Sequence, residues 1–184
     1  MSVVEAPATR SIYVKHILQR LRTGSEPVKF LVFADRQPAL LSRVSAALNT
    51  SQSLIVPAAQ PQWLLPDRSI ADAAKWAVAE AGVDRLMIVG SSANRSPDDE
   101  FAEDIPFNLT AKRDIAELMR AANAATRRAE QFYAQQIRTI LSTPGISDGL
   151  AQGTLRFHGM FYRVESGVFA AYSPIDGTFR ALVA

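Results

Sequence analysis

The sequence contains no cysteine and only two histidines, His16 and His158. The absence of thiols excludes disulfides, cysteine nucleophiles, iron–sulfur clusters and every zinc site that uses a thiolate. A metal site built on histidine would need these two residues, from opposite ends of the chain, to meet beside an acidic side chain. We therefore expect no metal site and no cofactor.

Long apolar runs and clustered positive charge are also missing. No strictly apolar run approaches the roughly 20 residues of a membrane-spanning helix, and residues 1–10 lack the apolar core of a signal peptide. The net charge is +2, from 20 basic and 18 acidic side chains. The basic residues are scattered, whereas a nucleic-acid surface needs them clustered. We predict a cytoplasmic protein without a membrane span that does not bind nucleic acid.

The hydrophobic content of the sequence is typical of one globular domain. Hydrophobic residues make up 48% of the 184 positions, which is enough for a substantial core, so we predict that residues 1–184 form a single domain. Its first part, residues 1–27, is predicted to be a helical arm, because apolar residues recur at helical spacing between Thr9 and Arg22 and Gly24 follows.

The first half of the chain alternates apolar runs with helical patterns. The pattern predicts strands over 28–34, 53–57 and 86–89, and helices over 40–48 and 69–81. Strands that alternate with helices indicate a parallel sheet, whose sites usually form at the carboxyl ends of the strands. Asp35 and the loop from Gly90 to Asn94 are the polar groups expected there.

The second half begins with an acidic segment, residues 95–108, whose spacing does not fit a calcium-binding loop and which we interpret as solvated. Residues 110–141 are rich in helix-forming residues, with an interruption expected near Asn123. From Thr154 the pattern becomes that of antiparallel strands separated by turns. The predicted fold class is therefore α/β, with a largely parallel central sheet, an antiparallel C-terminal extension and flanking helices.

The C-terminal stretch from Thr154 to Leu182 reads TLRFHGMFYRVESGVFAAYSPIDGTFRAL. It closely resembles the last strands of β-class carbonic anhydrases, which have a basic or histidine residue, glycine, an aromatic pair, an acidic turn with glycine, and Tyr-x-Pro-x-x-Gly. Upstream, SIADAAKWAVAEAGVDRLMIVG is similar to that family's Ser-Ile-x-x-Ala-Val helix and the strand after it. The resemblance extends from about Ile12 to Leu182, except for 38–53 and 95–108, and it implies a β-carbonic-anhydrase-like fold.

The family's first zinc motif, Cys-x-Asp-x-Arg, follows its first strand. Carried over position by position, this motif puts Phe33 in place of the cysteine and Gln37 in place of the arginine. Asp35 is retained, and whether Arg36 substitutes for the missing arginine is left open. Without a cationic partner we expect Asp35 to accept hydrogen bonds in a turn or at a helix cap.

The second zinc motif, His-x-x-Cys, follows the third strand and falls on Ser91 and Asn94. All three protein ligands, Cys, His and Cys, are therefore replaced. Bound zinc lowers the pKa of water far below its ordinary value, to about 7, and phenylalanine, serine and asparagine cannot reproduce this effect. The resemblance predicts a metal-free remnant pocket, occluded or polar, in which Phe33 fills the position of the metal.

The resemblance implies the fold but not the reaction. The first hypothesis is a non-catalytic protein that acts as a structural or regulatory subunit in a homo- or hetero-oligomer, because the family dimerises through its N-terminal helix and a sheet edge. The arm over residues 1–27 would then be interfacial. Two alternatives remain open: residual metal-free chemistry on carbon dioxide, bicarbonate or another small substrate beside Asp35, Ser91 and Asn94, or a sensor of a small anion such as bicarbonate.

The segment Gly90-Ser91-Ser92 can also be interpreted as the site of a serine nucleophile. The nucleophile elbow of hydrolases requires Gly-x-Ser-x-Gly, but Asn94 stands at the last position, and no histidine base is evident. We expect the serines and Asn94 to bond one another and the backbone.

Overall fold

The computed structural model describes residues 27–48, 52–58, 69–93 and 112–182. The predicted N-terminal helix, the acidic segment and Asn94 lie outside these residues. Within them the elements are β1 (Phe30–Asp35), α1 (Pro38–Ala47), β2 (Ser53–Ala58), α2 (Ser69–Ala79), β3 (Arg85–Ser91), α3 (Lys112–Leu141), α4 (Ile146–Ala151), β4 (Arg156–Arg163), β5 (Val168–Ser173) and β6 (Thr178–Ala181).

The six strands form one sheet in the order β2-β1-β3-β4-β5-β6. Strands β1 to β4 are parallel, and β5 and β6 complete the sheet as an antiparallel extension. This arrangement confirms the predicted α/β class. The chain leaves β1 for β2 on one side and returns to β3 on the other, so the strand order reverses between β1 and β3. Such a reversal opens a crevice at the carboxyl ends of the strands.

The core has two layers because successive side chains of a strand point to opposite faces of the sheet. In β1, Leu31 and Phe33 belong to the larger cluster, beneath α2, α3 and α4. Val32 and Ala34 belong to the smaller cluster, which includes Leu40 of α1. All five side chains are fully buried. Strand β1 is therefore covered on both faces, as parallel sheets require.

Helix α3 is a continuous helix of 30 residues, about 45 Å long. The interruption expected near Asn123 is wrong, since the alanines around it have the highest helix propensity. The C-terminal half packs on the sheet through the buried residues Ala129, Tyr133, Ile137 and Ile140. No helix in the described part of the chain is long and apolar enough to cross a membrane.

Candidate functional site

The two polar side chains at the crevice are joined to each other. Strand β1 ends at Asp35 and the neighbouring parallel strand β3 ends at Ser91, so both residues lie at the carboxyl edge of the sheet. The Ser91 Oγ donates a hydrogen bond of 2.5 Å to Asp35 Oδ2. Both residues are buried, and a hydroxyl bonded to a carboxylate makes one of the stronger hydrogen bonds in proteins. The contact holds the ends of β1 and β3 together.

Phe33, at the position of the family's first cysteine, is part of the hydrophobic core. Its side chain is fully buried in the larger cluster. In the sheet it is in register with Val56 of β2 and Ile88 of β3. A benzyl side chain at a central strand position contributes packing and presents no lone pair. This position is therefore filled by the core and does not open into a pocket.

Gly90 and Ser91, which the sequence predicted to begin a loop, are the last two residues of strand β3. The sheet face at Gly90 is covered by Tyr133 of α3. A Cβ built on Gly90 would lie 2.4 Å from Tyr133 Cγ, a distance that real Cβ atoms do not adopt. The Tyr133 ring is itself fully buried and meets Phe161 edge to face, with 5.9 Å between ring centroids. Glycine is thus required at residue 90 by the close approach of an aromatic ring.

Ser92 ties the end of β3 to the turn between β4 and β5. Its Oγ donates to Glu165 Oε2 at 2.8 Å and accepts from the Val164 amide at 2.9 Å. Glu165 Oε1 in turn accepts from Thr126 Oγ1 of α3 at 3.5 Å. The pattern after Thr154 predicted a turn between these two strands, but it gave no sign of these contacts, because Ser92 and Glu165 are 73 positions apart.

Gln37, at the position of the family's arginine, caps α1. Its Oε1 accepts a hydrogen bond of 2.8 Å from the Leu40 amide, and Pro38 follows in the first turn of the helix. Arg36 is exposed whereas Asp35 is buried. The structure therefore gives Gln37 a local structural role, and it places Asp35 at the buried end of β1, where its carboxylate accepts a hydrogen bond from Ser91 of the neighbouring strand.

These residues do not fit a zinc ion. Zinc in proteins is held by cysteine sulfur, histidine nitrogen or carboxylate oxygen, and Phe33 offers none of these atoms. The Ser91 hydroxyl is a poor zinc ligand and is already committed to Asp35. Across the described ranges, no three His, Cys, Asp or Glu side chains are grouped so that they could hold a metal.

Replacing Ser91 with alanine is expected to lower the free energy of unfolding by about 1–3 kcal/mol, because the buried Asp35 carboxylate loses this donor. Urea denaturation followed by circular dichroism measures the loss. The matched control is Ser92→Ala, where the bonds lie in an exposed setting and water can replace them, so its effect should be smaller. Equal stability of Ser91→Ala and the natural protein would contradict the buried contact.

The comparisons with known proteins show the fold. No family model matches the sequence, and none of the curated proteins matches it. Among solved structures, the β-carbonic anhydrase CcaA matches with a TM-score of 0.58 and 16% identity, over 92% of this chain and 84% of that chain.

Fungal structures of the same class give similar values. One of two tetrameric β-carbonic anhydrases from the filamentous ascomycete Sordaria macrospora has a TM-score of 0.57 and 17% identity, over 85% of this chain and 86% of its own. The β-carbonic anhydrase CafA of Aspergillus fumigatus has a TM-score of 0.56 and 18% identity, over 89% and 85%. The chain therefore has the β-carbonic-anhydrase fold, as the sequence resemblance predicted.

Proposed function

We propose that this chain, which has the fold of the β-carbonic anhydrases, does not catalyse their reaction and acts as a structural or regulatory subunit of an oligomer. The observation that supports this most is the burial of Phe33 at the position of the first zinc ligand. The bond that commits Ser91 to Asp35 supports it as well. Both changes convert parts of a metal site into parts of the core.

The chemistry of carbon dioxide hydration explains why these changes matter. A catalytic zinc needs three protein ligands and an open fourth position for water, whose pKa it lowers to about 7. In this chain neither Phe33 nor Ser91, which align with two of the family's zinc ligands, offers a suitable zinc ligand, and Asp35 and Ser91 are buried. A hydroxide nucleophile would therefore have no means of forming at neutral pH by the family's route.

Metal-free catalysis with Ser91 as the nucleophile is less favoured than a non-catalytic role. A serine nucleophile needs a base within hydrogen-bonding reach. His158 is the one histidine within the described ranges. It pairs with Met87 of β3, a residue four positions before Ser91, and its ring lies 6.4 Å from the Phe30 ring. His158 is therefore not placed next to Ser91 as a base. An anion sensor is also less favoured, since bicarbonate beside Ser91 would face the Asp35 carboxylate.

The catalytic part of the proposal is tested by stopped-flow measurement of carbon dioxide hydration, with the metal content determined on the same sample. The expected rate equals that of the buffer blank, with or without added zinc, while an active β-carbonic anhydrase at equal concentration serves as the positive control. A rate above the blank that increases in proportion to the concentration of this protein would overturn the proposal.

The assembly part of the proposal is supported by the fold and by the sequence. The fold is shared with enzymes from Sordaria macrospora that are described as tetrameric, and the predicted arm over residues 1–27 would suit an interface. A cytoplasmic location remains a prediction from the sequence. Sedimentation equilibrium of the purified protein is expected to give a mass above the 20.1 kDa of one chain. A monomer at micromolar concentration that also co-purifies with no other protein would contradict the role.

A further inference from the structure

We draw no further inference here: the strongest candidate, the apolar groove of about 210 Å³ between α1 and strands β3 to β5, carries none because nothing in the described part of the chain shows what covers it.

Discussion

Replacing Phe33 with alanine is expected to lower the free energy of unfolding by about 3–5 kcal/mol. The side chain is fully buried in the larger core cluster, on a strand with neighbours on both sides. Removing the ring takes away apolar contact area and leaves a cavity that the flanking strands cannot close. Urea denaturation monitored by circular dichroism gives the value.

The control for this substitution is Phe33→Leu, which keeps much of the buried volume and should cost clearly less. The comparison matters for function as well as for stability, because an open remnant pocket would leave the Phe33 ring in contact with water. A loss below about 1 kcal/mol for Phe33→Ala would mean that little apolar surface is buried there. That result would contradict the view that the first ligand position has become core.

Replacing Gly90 with alanine is expected to cost on the order of 3 kcal/mol, the upper part of the range for overpacked cores. The new methyl group would lie 2.4 Å from Tyr133 Cγ. Neither partner can move freely, since Gly90 lies in a central strand and the tyrosine ring is buried against Phe161. The same denaturation experiment measures the loss.

A double-mutant cycle identifies the cause of this loss. In a Tyr133→Ala background the ring is gone, so adding Gly90→Ala should cost much less than it does in the natural protein. An equal cost in both backgrounds would show that the backbone of Gly90, and not the ring, is responsible. The cycle therefore tests whether α3 closes the sheet face beside Ser91.

Local patterns in the sequence were sufficient to predict most of the elements of the fold. The strand at β1 follows from the uninterrupted apolar run that includes Phe33, and the antiparallel extension follows from the turns after Thr154. Helix α3 continues through Asn123 because the alanines on both sides of this residue strongly favour a helix. Residue preference within a helix is a sum over many positions, so one asparagine does not end it.

The candidate site was predictable only where a motif supplied positions. The family comparison located Phe33, Asp35 and Ser91, yet the bond between Asp35 and Ser91 became visible only when two strands were placed side by side. Tyr133 lies 43 positions after Gly90, and nothing in either local sequence signals their contact. Long-range contacts of this kind depend on topology, and periodicity within one segment carries no information about them.

The two described positions that the sequence resemblance aligns with zinc ligands have different structural roles. Phe33 packs in the core, whereas Ser91 forms a polar link between β1 and β3. Both keep the strand ends together without an ion.

The central claim, that the family's zinc position does not hold zinc in this chain, is tested most directly by metal content. The purified protein is equilibrated with excess zinc, passed through a desalting column and analysed by inductively coupled plasma mass spectrometry, with Ser91→Ala and Asp35→Asn treated in parallel. We predict far less than one zinc per chain in all three samples. One zinc per chain in the natural protein, lost in both variants, would contradict the claim.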